Sequence, residues 1–387
     1  MDARRTTMMV AVAVALATTA APRAEAGQAR TMRRLLSKKK TYRKLSPTLS
    51  RPDFDLKFKR GLEAPANLVR SYAGVFWRLS RKAPPRRPLG GVGVAFGDAH
   101  HENFGFVRVG KRTIYAVTDF DDSGRAPVSE DAAHYFTELR LKFGKKLVRR
   151  AIEQYAAAVL DPAAEVAIDP SLEPDWAKTT KKDLARTVKG KKFNYKDNSE
   201  LRPAPDRKAI EAAVAADPRL SKLTIHDVAE MERADGGSAG LRRYWLLVEP
   251  AGGGSKRTIE LKQLGTPGVA ESGVAQEMDA KKRLTSLKRT MWRTSATADW
   301  YPIDVGGVPY LVRDRHGVEK VDLAGLDSKG VLGVMRAQAS YMASVHRPAW
   351  GKVTAREIAD YLDERSATMA RAYEGAHEAL TAKHTKK

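Results

Sequence analysis

The sequence predicts an α+β chain, and three observations predict it. Over 61–81, Leu62, Leu68, Val69, Tyr72, Val75, Phe76 and Leu79 recur at helical spacing. Residues 241–248 and 257–264 are strand-length apolar runs on either side of Gly252-Gly253-Gly254, the pattern of a hairpin. Residues 331–345 and 353–380 return to a helical pattern. A chain of 387 residues can bury one large two-lobed domain or two ordinary ones, and no internal repeat divides it.

Taken in order, the chain opens with Arg4 and Arg5, an apolar run over 8–21, and Ala24-Glu25-Ala26 before Gly27. A charged start, a short apolar middle and a small-residue exit describe a cleavable secretory signal over 1–26. The run is shorter than the roughly 20 residues a bilayer span needs, and no later stretch is long and apolar enough. The mature chain is therefore expected to be exported, periplasmic or secreted, without a transmembrane segment. Residues 30–60 carry twelve Lys or Arg against Asp53 and Asp55, and 27–60 read as a basic N-terminal arm or a solvated helix. Residues 83–88 are a proline and arginine break. Short strands are expected over 90–96 and 112–118. A helix is expected over 129–143, with Ser129 as N-cap and Glu130 and Asp131 in its first turn. Residues 162–218 read as helices with surface loops, 276–292 as a basic helix and 308–313 as a further strand.

Composition narrows the chemistry. There is no cysteine, so no disulfide, thiolate zinc site or cysteine nucleophile exists. An apolar content of 42% is that of a globular chain, not a disordered one. The net charge of +23 favours anionic partners such as phospholipid headgroups, polyphosphates or acidic polymers. Basic residues spread over several segments, without interleaved aromatics, argue against nucleic acid.

The chemistry concentrates in two strand-end segments. Gly97-Asp98-Ala99-His100-His101-Glu102-Asn103 follows the first short strand, and Asp119-Phe120-Asp121-Asp122 follows the second. Asp98 and Asn103 are five residues apart, the spacing of the base and the metal-holding amide in a kinase catalytic loop. Asp119 falls 21 residues past Asp98, where a second metal-holding carboxylate is expected. Phosphoryl transfer needs these three types: a carboxylate to orient a hydroxyl, and an amide and a carboxylate to hold magnesium. Asp98 is thus the candidate base, and Asn103 and Asp119 are candidate metal ligands. A competing reading is a metal hydrolase using His100, His101, Asp98, Asp119 and Asp121, but adjacent histidines point in different directions.

These motifs resemble the uncharacterised bacterial family known as domain of unknown function 2252, which is similar to aminoglycoside phosphotransferases and choline kinases. Weaker matches are Leu68-Val69-Arg70, Tyr310-Leu311-Val312-Arg313 and Ser344-Val345-His346-Arg347, so the resemblance spans about 60–350. One departure is Ser129-Glu130-Asp131-Ala132, which keeps the acid of the expected tryptophan-aspartate segment and lacks the aromatic. The resemblance implies a two-lobed protein-kinase-like fold using ATP or another nucleotide with Mg²⁺. Its order is circularly permuted. The glycine-loop candidates Gly236, Gly237 and Gly240, and the strand lysine Lys262, come after the catalytic loop. Backbone N–H groups of such a loop and the lysine can reach phosphate oxygens. Glu277 is a candidate partner for Lys262, and Asp279 is equally defensible.

The expected division is 61–230 as catalytic-loop and helical lobe, 231–320 as nucleotide-lobe-like hairpin and helix, and 321–387 as helices completing the helical lobe. The leading expectation is a phosphotransferase acting on a small-molecule or protein hydroxyl. The alternative is an exported, non-catalytic binder of an anionic ligand. His346 is expected to be a satisfied core histidine. Arg313 either contacts an anion or pairs with a carboxylate.

Overall fold

The computed structural model describes residues 27–46, 49–119, 121–232, 240–275, 278–292 and 300–384. The fold is mixed α+β. Its largest sheet has six antiparallel strands in the order Trp300–Val305, Val308–Asp314, Arg257–Gln263, Arg243–Pro250, Leu223–Met231 and Leu201–Pro203. The expected hairpin is present, with Leu261 opposite Tyr244.

Period-two alternation gives this sheet two unlike faces. Tyr244, Leu246, Val248, Ile259, Leu261, Tyr310 and Val312 turn to one face, where Ile210 and Val214 of the helix Arg207–Ala216 cover them. Arg243, Trp245, Glu260, Lys262 and Arg313 turn to the other. Trp245 and Leu247 there join a small apolar cluster with Phe193 and Leu201.

The main core is helical. Phe136 and Leu139 of Val128–Phe143, Ile152 and Tyr155 of Lys145–Leu160, Met335 and Met342 of Ser328–His346, and Met369 and Tyr373 of Ala355–His384 lie in one buried cluster. The basic segment after residue 26 is folded onto this cluster as helices. Met32, Leu36, Tyr42, Phe54 and Phe58 are buried in it, and Arg33 Nε donates to Gly375 O at 3.1 Å. Most charged residues of this segment occupy the outer faces, Lys57 being buried with its Nζ over the Tyr72 ring, and its apolar residues supply the helical period that the charge run obscures.

The helical pattern of 61–81 resolves into two helices, Pro65–Ser71 and Ala73–Lys82, because Tyr72 leaves the helical region at φ −142° and ψ 61°. The expected cap at Ser129 is not used. The helix begins at Val128, Ser129 is buried inside it, and Val128 N instead donates to Gly91 O at 3.2 Å. The basic helix starts at Ala280, later than expected, with Asp279 Oδ1 accepting from Lys282 N at 2.9 Å. The described residues contain no helix long and apolar enough to cross a membrane.

Candidate phosphate and metal site

Two small sheets create the site. The strand Val92–Ala95 pairs with Gly124–Pro127, and Phe104–Val109 pairs with Arg112–Val117. The segment joining the first strand of one pair to the other pair runs through 96–103. The return segment runs through 118–123. Antiparallel pairing at both ends therefore forces the two motif-bearing segments to lie side by side.

Gly97 seals this contact. Its φ is +79°, and a Cβ there would meet Asp122 O at 1.9 Å, so only glycine fits. Asp131 accepts from Phe96 N at 2.7 Å and Gly97 N at 3.0 Å. Trp77 Nε1 donates to Gly97 O at 2.5 Å, and Ser123 Oγ to Phe96 O at 3.1 Å. Asn103 donates from Nδ2 to Asp98 O at 2.8 Å, and its own carbonyl accepts from Thr118 N at 2.7 Å. Asp98, Asn103 and the residue preceding Asp119 are thus tied by a continuous set of hydrogen bonds.

Asp98 is buried, with Oδ2 3.5 Å from His100 Nε2. Its Oδ1 has no hydrogen-bond partner among the described residues. Burial opposes ionisation of Asp98, but His100 beside it leaves its pKa below the ordinary value. The two histidines do diverge. His101 Nδ1 lies 2.8 Å from Glu138, and its Nε2 lies 2.9 Å from Lys142 Nζ.

Lys262 comes from the large sheet to meet these segments. Its Nζ donates to Asp119 Oδ1 and Oδ2 at 2.8 Å each and to Asp121 Oδ1 at 2.8 Å. Burial works against ionising Asp119, but the Lys262 ammonium and the Arg313 guanidinium hold its carboxyl well below the usual range. Burial, and then the Asp119 charge, push Asp121 up to about 7. Burial and the Asp98 charge push Asp122 up to about 6, although Asp122 Oδ1 accepts from Gly268 N at 2.8 Å. Carboxylates this crowded demand cationic compensation.

The structure therefore brings Asp98, Asn103, Asp119 and Lys262 together. Gly236, Gly237 and Glu277 lie outside the described residues. Gly240, at φ +84°, packs so tightly on Leu49 that a Cβ would come within 2.5 Å of its side chain. Asp279 spends its carboxylate on the start of its own helix. His346 is the satisfied core histidine expected, with Nε2 3.1 Å from Asp131 Oδ2 and Nδ1 2.8 Å from Tyr155 OH. The sequence reading did not assign a role to Glu260 or to Asp122. Glu260 stands two residues before Lys262, and period two alone places both on one face.

A cavity of about 1090 Å³ opens beside Asp119, with Glu102, Arg243, Glu260 and Arg313 among its walls. Among the described residues, no three His, Asp or Glu side chains are grouped so as to hold a metal ion by themselves. Oxygen donors in this number still suit magnesium. That ion takes one or two carboxylates and completes its shell with phosphate oxygens and water. Asp98 Oδ1 is open, whereas both oxygens of Asp119 and Oδ1 of Asp121 accept from Lys262 Nζ, which a cation would have to displace.

A sequence model of the family described as an uncharacterized protein conserved in bacteria (DUF2252) matches residues 142–385. The chain belongs to this family. The matched stretch of the DUF2252 chain holds Lys262, Arg313 and His346 and begins after Asp98, Asn103 and Asp119. No curated protein and no solved structure matches it.

Proposed function

We propose that this chain is a kinase-like phosphotransferase of permuted order, using a Mg-nucleotide and a hydroxyl acceptor. One observation carries the reading. Lys262 Nζ stands 2.8 Å from Asp119 and 2.8 Å from Asp121, though 143 and 141 residues separate them in sequence. In a kinase-like nucleotide site a strand lysine and a metal-holding aspartate both face the phosphates, and so lie close to each other. Here the lysine follows the aspartate in the chain.

In this reading Asp98 orients the acceptor hydroxyl and takes its proton, for which the partnerless Oδ1 is available. Asn103 and Asp119 would hold Mg²⁺, with Asp121 beside them. Bound with a nucleotide, the ion would neutralise charge developing on the transferred group. Lys262 would exchange its carboxylate contacts for phosphate oxygens. Two lobes with the helical bundle on one side and the six-stranded sheet on the other complete the proposal.

A second reading rests on the leader-like residues 1–26. ATP is scarce outside the cytoplasm, so an exported chain would keep this pocket as a binder of another anionic ligand. Thermal shift with ATP and Mg²⁺, on wild type and on Asp119→Ala, separates the two. The phosphotransferase reading expects a rise in wild type that disappears in the variant. No rise with any nucleotide sinks it and leaves the binder.

A further inference from the structure

The basic segment behind the leader-like residues has no role in the chemistry proposed above. It folds as three consecutive helices, over 27–36, Lys39–Lys44 and Arg51–Gly61, and they present two unlike sides. Met32, Leu36, Tyr42, Phe54 and Phe58 enter the core, and Lys57 follows them inward. Arg30, Arg34, Lys38, Lys40, Lys44 and Arg51 are exposed. The helical period makes this division, since 30 and 34 lie on the face opposite 32 and 36.

Packing joins the helices into one surface. Lys39 Nζ lies 2.7 Å from Asp55 Oδ1 and 5.7 Å from the centre of the Phe54 ring, and Arg43 Cζ lies 5.3 Å from the same ring. Arg43 Nη1 also donates to Leu49 O at 2.7 Å. The short helix is thereby strapped across the one that follows it. Asp53 and Asp55 are the only acids over 30–60. Lys39 takes Asp55, and Asp53 Oδ2 accepts from Ser50 Oγ at 2.5 Å. Among the described residues, Arg30, Arg34, Lys38, Lys40 and Lys44 have no ion-pair partner. The exposed acids on adjoining elements, Glu63 beside the segment and Glu374 and Glu378 on the last helix, are fewer than these cations.

A solvated face of one sign costs the fold little. Its effect is outward: it attracts an anionic surface, and each basic residue held near such a surface strengthens association about fivefold. Two observations select a phospholipid bilayer as that surface. The aromatics of the segment, Tyr42, Phe54 and Phe58, are all buried, so none is available to stack on nucleic-acid bases. The segment also follows the apolar run over 8–21, whose leader pattern directs a chain to a membrane. We propose that the outer faces of these three helices dock the protein on an anionic phospholipid surface through its headgroup phosphates. A polybasic face without an inserted chain gives reversible, salt-sensitive attachment. Asp53 and Arg60 of the third helix are also walls of the cavity beside Asp119, so the docked face borders the candidate site. The docking does not depend on the phosphotransferase reading.

The test is co-sedimentation of the mature chain, from Gly27 on, with vesicles at about 0.1 M salt, where exposed charges still act over about 10 Å. Vesicles of phosphatidylglycerol and phosphatidylcholine in equal parts are expected to bind it, and phosphatidylcholine alone is not. Arg34→Glu, Lys38→Glu, Lys40→Glu and Lys44→Glu together should weaken binding by about 500-fold or more. Lys38→Gln with Lys40→Gln, a milder change that guards against misfolding of the first variant, should weaken it by about 25-fold. Lys145→Glu, Lys146→Glu, Lys208→Glu and Lys222→Glu make the same change of net charge at exposed positions on other elements, and should stay within about threefold of wild type. Equal losses in the two fourfold variants overturn the proposal, because net charge and not this face would then be responsible. Unchanged binding in the Lys38→Gln, Lys40→Gln variant overturns it, as does failure of wild type to bind the anionic vesicles. Equal binding to phosphatidylcholine alone overturns it too. Tighter binding to duplex DNA or to polyglutamate than to the anionic vesicles overturns it and assigns the face to that polymer.

Discussion

Asp98 and Asp131 are both buried carboxylates touching the same turn, and they are treated in opposite ways. Asp131 is saturated: two backbone N–H groups and His346 occupy its oxygens, and it fixes Phe96 and Gly97 from behind. Asp98 sits immediately after that turn with one oxygen unpartnered. Folding rewards the first arrangement and is penalised by the second. A buried acceptor left open costs stability, and the role of base proposed for Asp98 would account for that cost. Asp131 and His346 build the frame, and Asp98 is what the frame presents.

The comparison can be broken most directly at Asp131. Asp131→Ala leaves His346 Nε2 and two backbone donors unpaired, and should cost about 3–5 kcal/mol in denaturant unfolding. A loss under about 1 kcal/mol would show that the turn is held elsewhere. Glu138 offers a second saturated carboxylate. Burial would raise it, but His101 holds it at about 2 against an ordinary 4.5. Its contribution is fully present above pH 4.5 and is lost as pH falls through about 2. Glu138→Gln should therefore flatten the fall in stability across that window, on the order of a few kcal/mol. An acid limb as steep as that of wild type would remove Glu138 from the frame.

Asp98→Asn should behave in the reverse manner. Its stability should lie within about 1 kcal/mol of wild type, while Mg-dependent ATP consumption falls about 10²- to 10⁴-fold. A large loss of stability with activity retained would reverse the roles assigned to the two aspartates. The smallest effect belongs to the exposed pair Arg149–Glu153, 3.2 Å apart on a helix surface. Glu153→Ala should change stability by less than about 0.5 kcal/mol, which sets the scale on which the other variants are read.

Parts of this were legible in the sequence for definite reasons. The hairpin showed because Tyr244, Leu246, Val248, Ile259 and Leu261 alternate and a triple glycine separates the runs. Asp98 and Asn103 showed because their five-residue spacing is local chemistry. The strands Leu223–Met231 and Trp300–Val305 escaped the reading, the first because its apolar residues are interrupted by His226, Asp227 and Glu230. Asp227 is buried there as the acceptor for Phe193 N and Tyr195 OH, a reason that no local pattern carries. The basic segment concealed packed helices for a similar reason. A charge run states what faces water and says little about Tyr42, Phe54 and Phe58 behind it.

The sequence by itself determined the kinds of groups available, their local spacing, and the strand alternation that turns Glu260 and Lys262 to one face. Only the tertiary structure decided that Lys262 meets Asp119 and Asp121, that Asp131 saturates while Asp98 does not, and that Arg243 and Arg313 share Glu260. Periodicity reaches a few residues along the chain. The partner of a buried charge is set by which surfaces the packing of sheet and helices brings together, across 143 residues for Lys262 and Asp119.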